Sequence, residues 1–273
     1  MMATTPAQPD TVALFVSDLH LGPATPKTTQ AFFDFLKKRA ARTQRLYLLG
    51  DIFEAWAGDD DLASPWNQSV AQAIRAVAES GVQVFWISGN RDVLIGKAFA
   101  QAAGCTLLPD LCIVDLAGKR IALAHGDAEC THDSAYIAFR KKTHHPAWQK
   151  LFLALPLSLR QRIIGRLRQN SERSKQTKSH MMMDVNPTAI DAVFDSTGAT
   201  VMVHGHTHQP QRHDSADGER SRYVLPDWDC ETKPERGGWV ALYKDGSLRR
   251  FDIQGRIVTT YPPQRFPAGT RNR

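Results

Sequence analysis

Five short apolar runs in this 273-residue chain each end in glycine, acidic, amide or histidine residues. In chain order the runs and their endings read VALFVSDLH, RLYLLGD, VQVFWISGN, RIALAHGD and TVMVHGHTH. Apolar runs of this kind, bounded by turn-forming residues, are typical of buried strands. Because ligands of α/β proteins bind beyond the carboxyl ends of the strands, the pattern predicts a site built from the residues that follow these strands.

The segments between the runs predict how the strands are connected. TTQAFFDFLKKRAA and SVAQAIRAVAESG have apolar residues at helical spacing, so repeated strand–loop–helix units predict parallel strands joined by helices. LCIVDLAGKRIALAHGD indicates two strands and a glycine-containing turn, and NPTAIDAVFDSTG indicates a capped helix. The C-terminal part alternates short strand-like segments, which predicts a second, more antiparallel sheet. Together these patterns predict a mixed α/β sandwich.

The domain organisation follows from length and local composition. A hydrophobic content of 42% and a charged content of 23% are ordinary for a globular domain. We expect a disordered N-terminus at residues 1–10, one domain at residues 11–253 and a C-terminal tail at residues 254–273. A basic, helical insertion is expected at about residues 133–182, where the character of the sequence changes.

Several protein classes are disfavoured by what the sequence lacks. No apolar run approaches the roughly 18–20 residues of a membrane-spanning helix, and no N-terminal signal pattern is visible. A cytoplasmic location is the expectation. Four cysteines without CxxC spacing predict reduced thiols rather than a disulfide framework or a zinc site; they are Cys105, Cys112, Cys130 and Cys230.

A basic block lies inside the predicted insertion. The formal net charge is +6, and the segment from Arg160 to Lys178 is rich in lysine and arginine. Such a block suits a polyanion, which includes nucleic acid, a phosphorylated ligand or an anionic membrane surface. Judged by charge alone, a helix face that is simply exposed to solvent explains the block as well as a polyanion-binding surface does.

Seven side chains at the predicted strand ends make a mixed nitrogen and oxygen ligand set. They comprise two carboxylates, one amide and four imidazoles: Asp18, His20, Asp51, Asn90, His125, His206 and His208. Without a thiolate this set favours Mn, Fe, Zn or a similar divalent ion over a structural zinc cage. Seven ligands are too many for one such ion and suit two ions that share a carboxylate. Two metals ~3.5–4 Å apart favour in-line attack of an activated water on phosphorus.

The three histidines of HGHTH are expected to have different roles. If the chain remains extended there, the rings of His206 and His208 point the same way and could reach one metal, or one metal and the substrate. His204 precedes the glycine at the strand end, so we expect a structural role for it. Any one of these histidines alone would be weak evidence for a metal site.

The blocks DLH, GDIFE, GNRD, HGD and GHTH resemble the five signature blocks of the calcineurin-like metallophosphoesterase superfamily. They occur in order from Asp18 to His208. The resemblance implies an α/β fold with four αββα layers, a mixed β-sandwich flanked by helices and two metals at the sheet edge. It also implies the ligand roles: Asp18, His20 and His208 on the first metal, Asp51 bridging, and Asn90, His125 and His206 on the second.

Other stretches are similar to one family within that superfamily. GDIFEAWAGDDD, GNRDVLIGKAFA, HGDAECTHDSAYIAFR, LFLALPLSLR, NSERSKQTKSHMMMDVN and YVLPDWD resemble the UDP-2,3-diacylglucosamine pyrophosphatases of the lipid A pathway in Gram-negative bacteria, over roughly residues 12–253. The resemblance implies a helical lid insertion, two Mn²⁺ ions, and attack of water on the α-phosphorus of UDP-2,3-diacylglucosamine. The products would be UMP and 2,3-diacylglucosamine 1-phosphate.

The same resemblance implies residues that contact the substrate. These are Asn90, Arg91, Asp133, Ser171, Lys175, Lys178 and His206. Catalytic roles are implied for Asp51, Asn90, Arg91 and His206. From chemistry alone, the guanidinium of Arg91 suits a phosphate group because it offers paired donors.

The insertion mixes apolar and basic residues, which suits an amphiphilic substrate and an anionic lipid surface. Its apolar members are Phe139, Trp148, Leu151, Phe152, Leu155, Leu157, Ile163 and Ile164, and its basic members are Arg160, Arg162, Arg166, Arg168, Arg173, Lys175 and Lys178. The alternative is that the apolar face packs on the core. We expect a peripheral protein on the cytoplasmic side of the inner membrane that does not bind nucleic acid.

Two other functions fit parts of the sequence. A soluble metal-dependent phosphodiesterase or nucleotide pyrophosphatase explains the ligand set but not the apolar and basic insertion. A non-catalytic scaffold with the same fold is disfavoured because such proteins are expected to lose metal ligands, whereas all seven are present here.

Overall fold

The fold is described by a computed structural model that covers residues 11–175, 184–259 and 264–266, with the backbone alone at 170–175 and 264–266. The strands are β1 (Thr11–Val16), β2 (Arg45–Leu49), β3 (Gln83–Ile87), β4 (Cys105–Leu107), β5 (Leu111–Leu116), β6 (Lys119–Ala124), β7 (Val201–His204), β8 (Arg212–Ser215), β9 (Ser221–Val224), β10 (Gly238–Tyr243), β11 (Leu248–Asp252) and β12 (Gln264–Phe266). The helices are α1 (Pro26–Lys38), α2 (Pro65–Glu79), α3 (Lys97–Ala103), α4 (Ser134–Thr143), α5 (Pro146–Leu153), α6 (Leu157–Lys175) and α7 (Pro187–Thr197).

The strands form two mixed six-stranded sheets. The first has the order β11-β10-β1-β2-β3-β4, and the second has the order β12-β8-β9-β7-β6-β5. The centre of each sheet is parallel, because β1, β2 and β3 pair in parallel, as do β6, β7 and β9. The carboxyl ends of these central strands therefore lie at one edge of each sheet.

Three layers of buried side chains hold the sheets and helices together. Alternation along β1 shows how they form: Phe15 packs between the sheets, whereas Leu14 and Val16 pack toward the helices of the first sheet. On the outer face of the second sheet, Met202 packs with Phe194 of α7. Helices thus cover both outer faces, and the α/β fold with four αββα layers is confirmed.

The composition of the second sheet differs from the sequence prediction. β10 and β11 come from the C-terminal part but belong to the first sheet, where β10 pairs antiparallel with β1 and β11 pairs antiparallel with β10. Among the described strands, the second sheet has three parallel pairings, β12 with β8, β7 with β9 and β6 with β7, and two antiparallel ones. The prediction of a more antiparallel second sheet was therefore wrong, because strand pairing over more than 200 residues leaves no local sequence signal.

The region of the expected insertion, about residues 133–182, contains α4, α5 and α6. Phe152 is buried in the core beside the first sheet, and Trp148 stacks on it with ring centroids 4.8 Å apart. Ile163 and Ile164 also pack against that core, whereas Leu151 is 72% exposed. Some apolar residues of the insertion thus pack on the core, whereas others are exposed to solvent. The boundaries of the domain, insertion and tail remain predictions.

Individual sequence signals correspond to observed local structure. Asn186 caps α7 by accepting a hydrogen bond from the Thr188 amide, and Gly198 ends that helix in the left-handed conformation. All four cysteines are free, with Cys130 and Cys230 buried and the other two half-buried. No helix within the described residues has both the length and the apolar character required to cross a membrane.

Candidate dinuclear metal centre

The predicted site residues meet where the two sheets adjoin. Asp18, Asp51 and Asn90 follow β1, β2 and β3 of the first sheet, and His125 and His206 follow β6 and β7 of the second. Backbone hydrogen bonds fasten these loops together. The Asp18 amide donates to the Gly50 carbonyl at 3.0 Å, and the Gly205 amide donates to the His125 carbonyl at 2.8 Å. Both sheets therefore contribute to one site.

Six of the seven predicted ligands form two compact groups. Asp18, His20 and His208 form the first ligand group, and Asp51, His125 and His206 form the second, with the ligand atoms of each group within 4.8 Å of one another. The seventh predicted ligand, Asn90, lies beside the second group, with Oδ1 3.4 Å from Nε2 of His125. Asp51, which the resemblance implies as the bridging ligand, lies with the second group, and its bridging role remains a prediction. The residues fall into the two sets that the resemblance implies.

The backbone at the site has an uncommon conformation. Five of the predicted ligands have φ between 49° and 68°, in the left-handed region: Asp18, His20, Asp51, His206 and His208. Residues other than glycine adopt this region at an energetic cost, and such residues cluster at functional sites. The HGHTH segment is therefore not extended. The condition for rings on the same side is therefore not met, and His206 and His208 lie in different ligand groups.

Glycines keep the space around the carboxylates open. A Cβ atom on Gly89 would collide with Oδ1 and the backbone nitrogen of Asp51, and one on Gly205 would collide with Oδ2 of Asp18. These glycines belong to the GNRD and GHTH blocks. Their lack of a side chain lets the loop after β3 lie close to Asp51 and the loop after β7 lie close to Asp18.

One carboxylate oxygen in the first ligand group shows the features of a metal ligand. Oδ2 of Asp18 accepts hydrogen bonds from the Ser17 hydroxyl at 2.5 Å and from the His206 amide at 2.9 Å. Oδ1 is buried and has no hydrogen-bond partner among the described residues, although Nε2 of His208 lies 3.5 Å away. A buried carboxylate oxygen is costly without a partner, and a divalent cation would supply one.

The electrostatics of the second ligand group also fit a cation. Burial alone would lower the pKa of His125, but the negative charges of Asp51, Asp18 and Asp127 raise it to about 9. Burial and the charge of His125 lower the pKa of His206 to about 4. The carboxylates thus draw a proton onto one imidazole, in a place where a bound cation would balance the same charges. The oxygen and nitrogen donors of both groups fit divalent metals.

Asp92 is a buried support that sequence reasoning did not single out. It is fully buried, and its two oxygens accept hydrogen bonds from the Gly89 amide at 2.7 Å and the Ile52 amide at 2.9 Å. Burial and the nearby charge of Asp51 raise its pKa to about 7. Asp92 therefore holds the loops after β2 and β3 together. The sequence could have indicated Asp92, because this residue is the last of the GNRD block.

A second missed network lies beside His206. The Tyr136 hydroxyl and Nε of Arg140 each donate to Oδ2 of Asp127 at 2.8 Å. The Tyr136 ring lies 5.9 Å from the His206 ring, measured between centroids. Burial alone would raise the pKa of Asp127, but the neighbouring charges of His125, His206 and Arg140 hold it below its ordinary value. Helix α4 is thereby fastened to the loop after β6.

The predicted substrate contacts are only partly described. The Arg91 side chain is 10% exposed and lies beside Glu54, which belongs to the loop after β2. The backbone amide of Arg91 donates to Oδ1 of Asp51 at 2.8 Å. Asp133 is buried and caps α4 by accepting from the Tyr136 amide at 3.0 Å. For Ser171 and Lys175 only the helical backbone of α6 is described, and Lys178 lies outside the described residues.

His204 has the structural role expected from its position. It is fully buried, and its Nδ1 lies 2.9 Å from the Gly205 carbonyl oxygen. The guanidinium of Arg222 lies 3.1 Å from its Nε2. Burial and the charge of Arg222 lower the pKa of His204 well below its ordinary value. This neutral histidine supports the end of β7 and belongs to neither ligand group.

The fold and the paired ligand groups define a class of protein. The sequence model of the calcineurin-like phosphoesterase family matches residues 12–210, which include all seven predicted ligands. This match covers more than half of the chain. The chain therefore belongs to the calcineurin-like phosphoesterase family.

Three relatives within this family share one name. A UDP-2,3-diacylglucosamine hydrolase of Bordetella parapertussis is 47% identical over 242 residues, which cover 87% of this chain and 93% of the relative. One from Tolumonas auensis is 47% identical over 221 residues, covering 80% and 89%. One from Ralstonia nicotianae is 42% identical over 253 residues, covering 89% and 93%.

Proposed function

We propose that this protein hydrolyses the diphosphate bond of UDP-2,3-diacylglucosamine in lipid A biosynthesis. Water attacks the α-phosphorus, and the bond from this phosphorus to the oxygen that bridges the two phosphorus atoms breaks. That oxygen leaves with the β-phosphate, so the products are UMP and 2,3-diacylglucosamine 1-phosphate. One observation carries the proposal: relatives 47% identical over most of both chains are UDP-2,3-diacylglucosamine hydrolases. Two ligand groups at the sheet edges agree with phosphorus chemistry.

Two divalent ions, which we propose to be Mn²⁺, would be held by the predicted ligands. Asp18, His20 and His208 would hold the first, Asn90, His125 and His206 the second, and Asp51 both. When bound, such ions supply Lewis acidity toward phosphoryl oxygens and an activated water. Hydrogen bonds from Ser17 and His206 to Oδ2 of Asp18 leave Oδ1 available and keep the carboxylate in one orientation.

The chain itself binds and orients the diphosphate. We propose that Arg91 contacts a phosphate oxygen, because its backbone amide is bound to Asp51 and its guanidinium lies 3.8 Å from Glu54, the carboxylate beside His20. Asn90 and His206 would contact the substrate and a metal. Asp133, Ser171, Lys175 and Lys178 would contact the substrate from the insertion.

The insertion fits the lipid part of the substrate and the surface where it is found. Leu151 is 72% exposed and Leu167 is 44% exposed, and exposed basic residues such as Arg162 and Arg166 lie on the same helix as Leu167. Apolar side chains interleaved with basic ones favour an anionic lipid surface. We propose peripheral association with the cytoplasmic side of the inner membrane.

Purified protein incubated with Mn²⁺ and UDP-2,3-diacylglucosamine should release UMP. The deacylated nucleotide sugar should react far more slowly, because it lacks the chains that would bind the apolar part of the insertion. UMP release is measured by chromatography for both substrates, with bis(p-nitrophenyl) phosphate as a general phosphodiester control. Equal turnover of the acylated and deacylated substrates would contradict the acyl-binding role of the insertion and favour the soluble phosphodiesterase.

Lys175→Ala should chiefly weaken substrate binding. Loss of a charge-assisted contact to phosphate is expected to raise KM about ten- to a hundredfold with little change in kcat. Lys150→Ala, at an exposed position of α5, is the matched control. A Lys175→Ala variant with the KM of the unmodified protein would remove this lysine from the set of substrate contacts.

A further inference from the structure

One carboxylate in the loop after β2 has contacts on both of its oxygen atoms. Oε2 of Glu54 lies 2.9 Å from Nδ1 of His20. Oε1 forms an ion pair with the guanidinium of Arg168 on α6, and the Arg91 guanidinium lies 3.8 Å from the same oxygen. Glu54 therefore stands between a predicted metal ligand and a helix of the insertion.

We propose that Glu54 is a positioning residue that orients His20, and that Arg168 holds Glu54 in this role. Through one carboxylate, helix α6 is coupled to the first ligand group. This inference rests on the proposed metal-dependent function, which it deepens by stating how the insertion communicates with the metal site. Neither residue needs to touch the reacting atoms for this role.

The orientation of His20 explains what Glu54 contributes. A histidine that donates its Nδ1 proton to a carboxylate presents the lone pair of Nε2 to a metal. Nε2 of His20 faces Nε2 of His208 at 3.3 Å, within the first ligand group. Without an acceptor at Nδ1, the proton can reside on either nitrogen and the ring can rotate. As an ion-pair partner 2.9 Å from Nδ1, Glu54 favours the tautomer that is protonated there and leaves Nε2 for a metal.

The backbone around Glu54 is held in register with the loop of His20. The Glu54 amide donates to the Leu21 carbonyl at 2.9 Å, and the Leu21 amide donates to the Ile52 carbonyl at 2.8 Å. The His20 amide donates to the Asp51 carbonyl at 3.0 Å. These bonds fix the Cα positions of His20 and Glu54 relative to each other. Only the rotation of the Glu54 side chain then requires a further constraint.

Helix α6 is anchored so that Arg168 can supply that constraint. Arg160, which is 2% exposed, donates to the Ala57 carbonyl and pairs with Asp60. Nε2 of Gln161 donates to Oδ1 of Asp61 at 3.0 Å. Residue 168 lies about two turns further along the helix. The same loop that ends in these acidic residues begins at Asp51, so α6 and the metal-binding loop are held side by side.

Variants of Glu54 test the positioning role through metal affinity. Mn²⁺ binding to the metal-stripped full chain is measured by electron paramagnetic resonance of the free ion. In Glu54→Ala we expect one of two sites to weaken by about ten- to a hundredfold, the range found for partners of metal-binding histidines. Glu54→Gln keeps an acceptor for the Nδ1 proton, so its affinity should lie between those of Glu54→Ala and the unmodified protein.

Variants of Arg168 test the coupling to the insertion. Arg168→Gln should weaken Mn²⁺ binding about two- to fivefold, as expected for loss of a partly exposed ion pair. Because coupling is reciprocal, Mn²⁺ should slow amide hydrogen exchange in α6 of the unmodified protein and not in Arg168→Gln. Arg166→Gln, at an exposed position of the same helix, is the matched control and should retain both properties.

Each part of the inference has its own contradicting result. Unchanged affinity at both sites in a folded Glu54→Ala variant overturns the positioning role. Metal-dependent protection of α6 that persists in Arg168→Gln overturns the coupling. If the unmodified protein does not bind Mn²⁺ or another divalent ion, the proposed metal-dependent function fails, and the inference fails with it.

Discussion

Asp51→Asn should lower the rate of UMP release on the order of a thousandfold, because loss of a bridging carboxylate removes several kcal/mol of transition-state stabilisation. The Asp51 side chain is nearly inaccessible and belongs to the second ligand group. Its Oδ1 accepts a hydrogen bond from the Arg91 amide at 2.8 Å, which an asparagine oxygen can also accept. The fold should therefore survive the substitution.

The control for Asp51→Asn is a comparison of structure and metal content. Circular dichroism and thermal unfolding should match the unmodified protein, while the amount of bound metal should fall. A variant that keeps full activity contradicts the bridging role of Asp51. A variant that loses activity only because it unfolds would be identified by its melting temperature.

Gly89→Ala should also reduce activity strongly, by about a hundredfold, without removal of any functional group. The added methyl group would collide with Oδ1 and the backbone nitrogen of Asp51. Displacement of a catalytic group by about 1 Å is enough for an effect of this size. Initial rates are measured at saturating Mn²⁺, together with the fraction of folded protein, so that loss of activity per folded molecule is obtained.

A second glycine provides a matched control for this prediction. Gly165 lies within α6, and an added Cβ atom there would meet no other atom within 4 Å. Gly165→Ala should preserve activity and stabilise the helix by up to about 1 kcal/mol. Equal activity of Gly89→Ala and Gly165→Ala would show that the space beside Asp51 is not required.

Much of the site was predictable because each strand end carries its own local signal. Each predicted ligand lies within a few residues of an apolar run, and four of the seven are next to a glycine: Asp51, Asn90, His125 and His206. The parallel arrangement brings such strand ends to a common edge. The sequence therefore indicates the residues of both ligand groups. Their division into two groups came from resemblance, and the structure adds the reason: left-handed backbone at His206 and His208 turns the two rings apart.

The rest of the site depends on contacts that local patterns do not encode. Arg168 is one of many basic residues in α6, and only the packing of α6 shows that it reaches Glu54. The same holds for Asp127, which binds Tyr136 and Arg140 of α4. In the fold, the pairing of β10 with β1 joins residues more than 200 positions apart. Tertiary context decides such contacts.

Hydrolysis in ¹⁸O-labelled water tests the central claim most directly. UDP-2,3-diacylglucosamine is incubated with the Mn²⁺-loaded protein, and both products are analysed by mass spectrometry. Water attack on the α-phosphorus predicts that one ¹⁸O atom enters UMP and none enters 2,3-diacylglucosamine 1-phosphate. Label in the sugar phosphate, or no cleavage of this substrate with any divalent metal, would contradict the account.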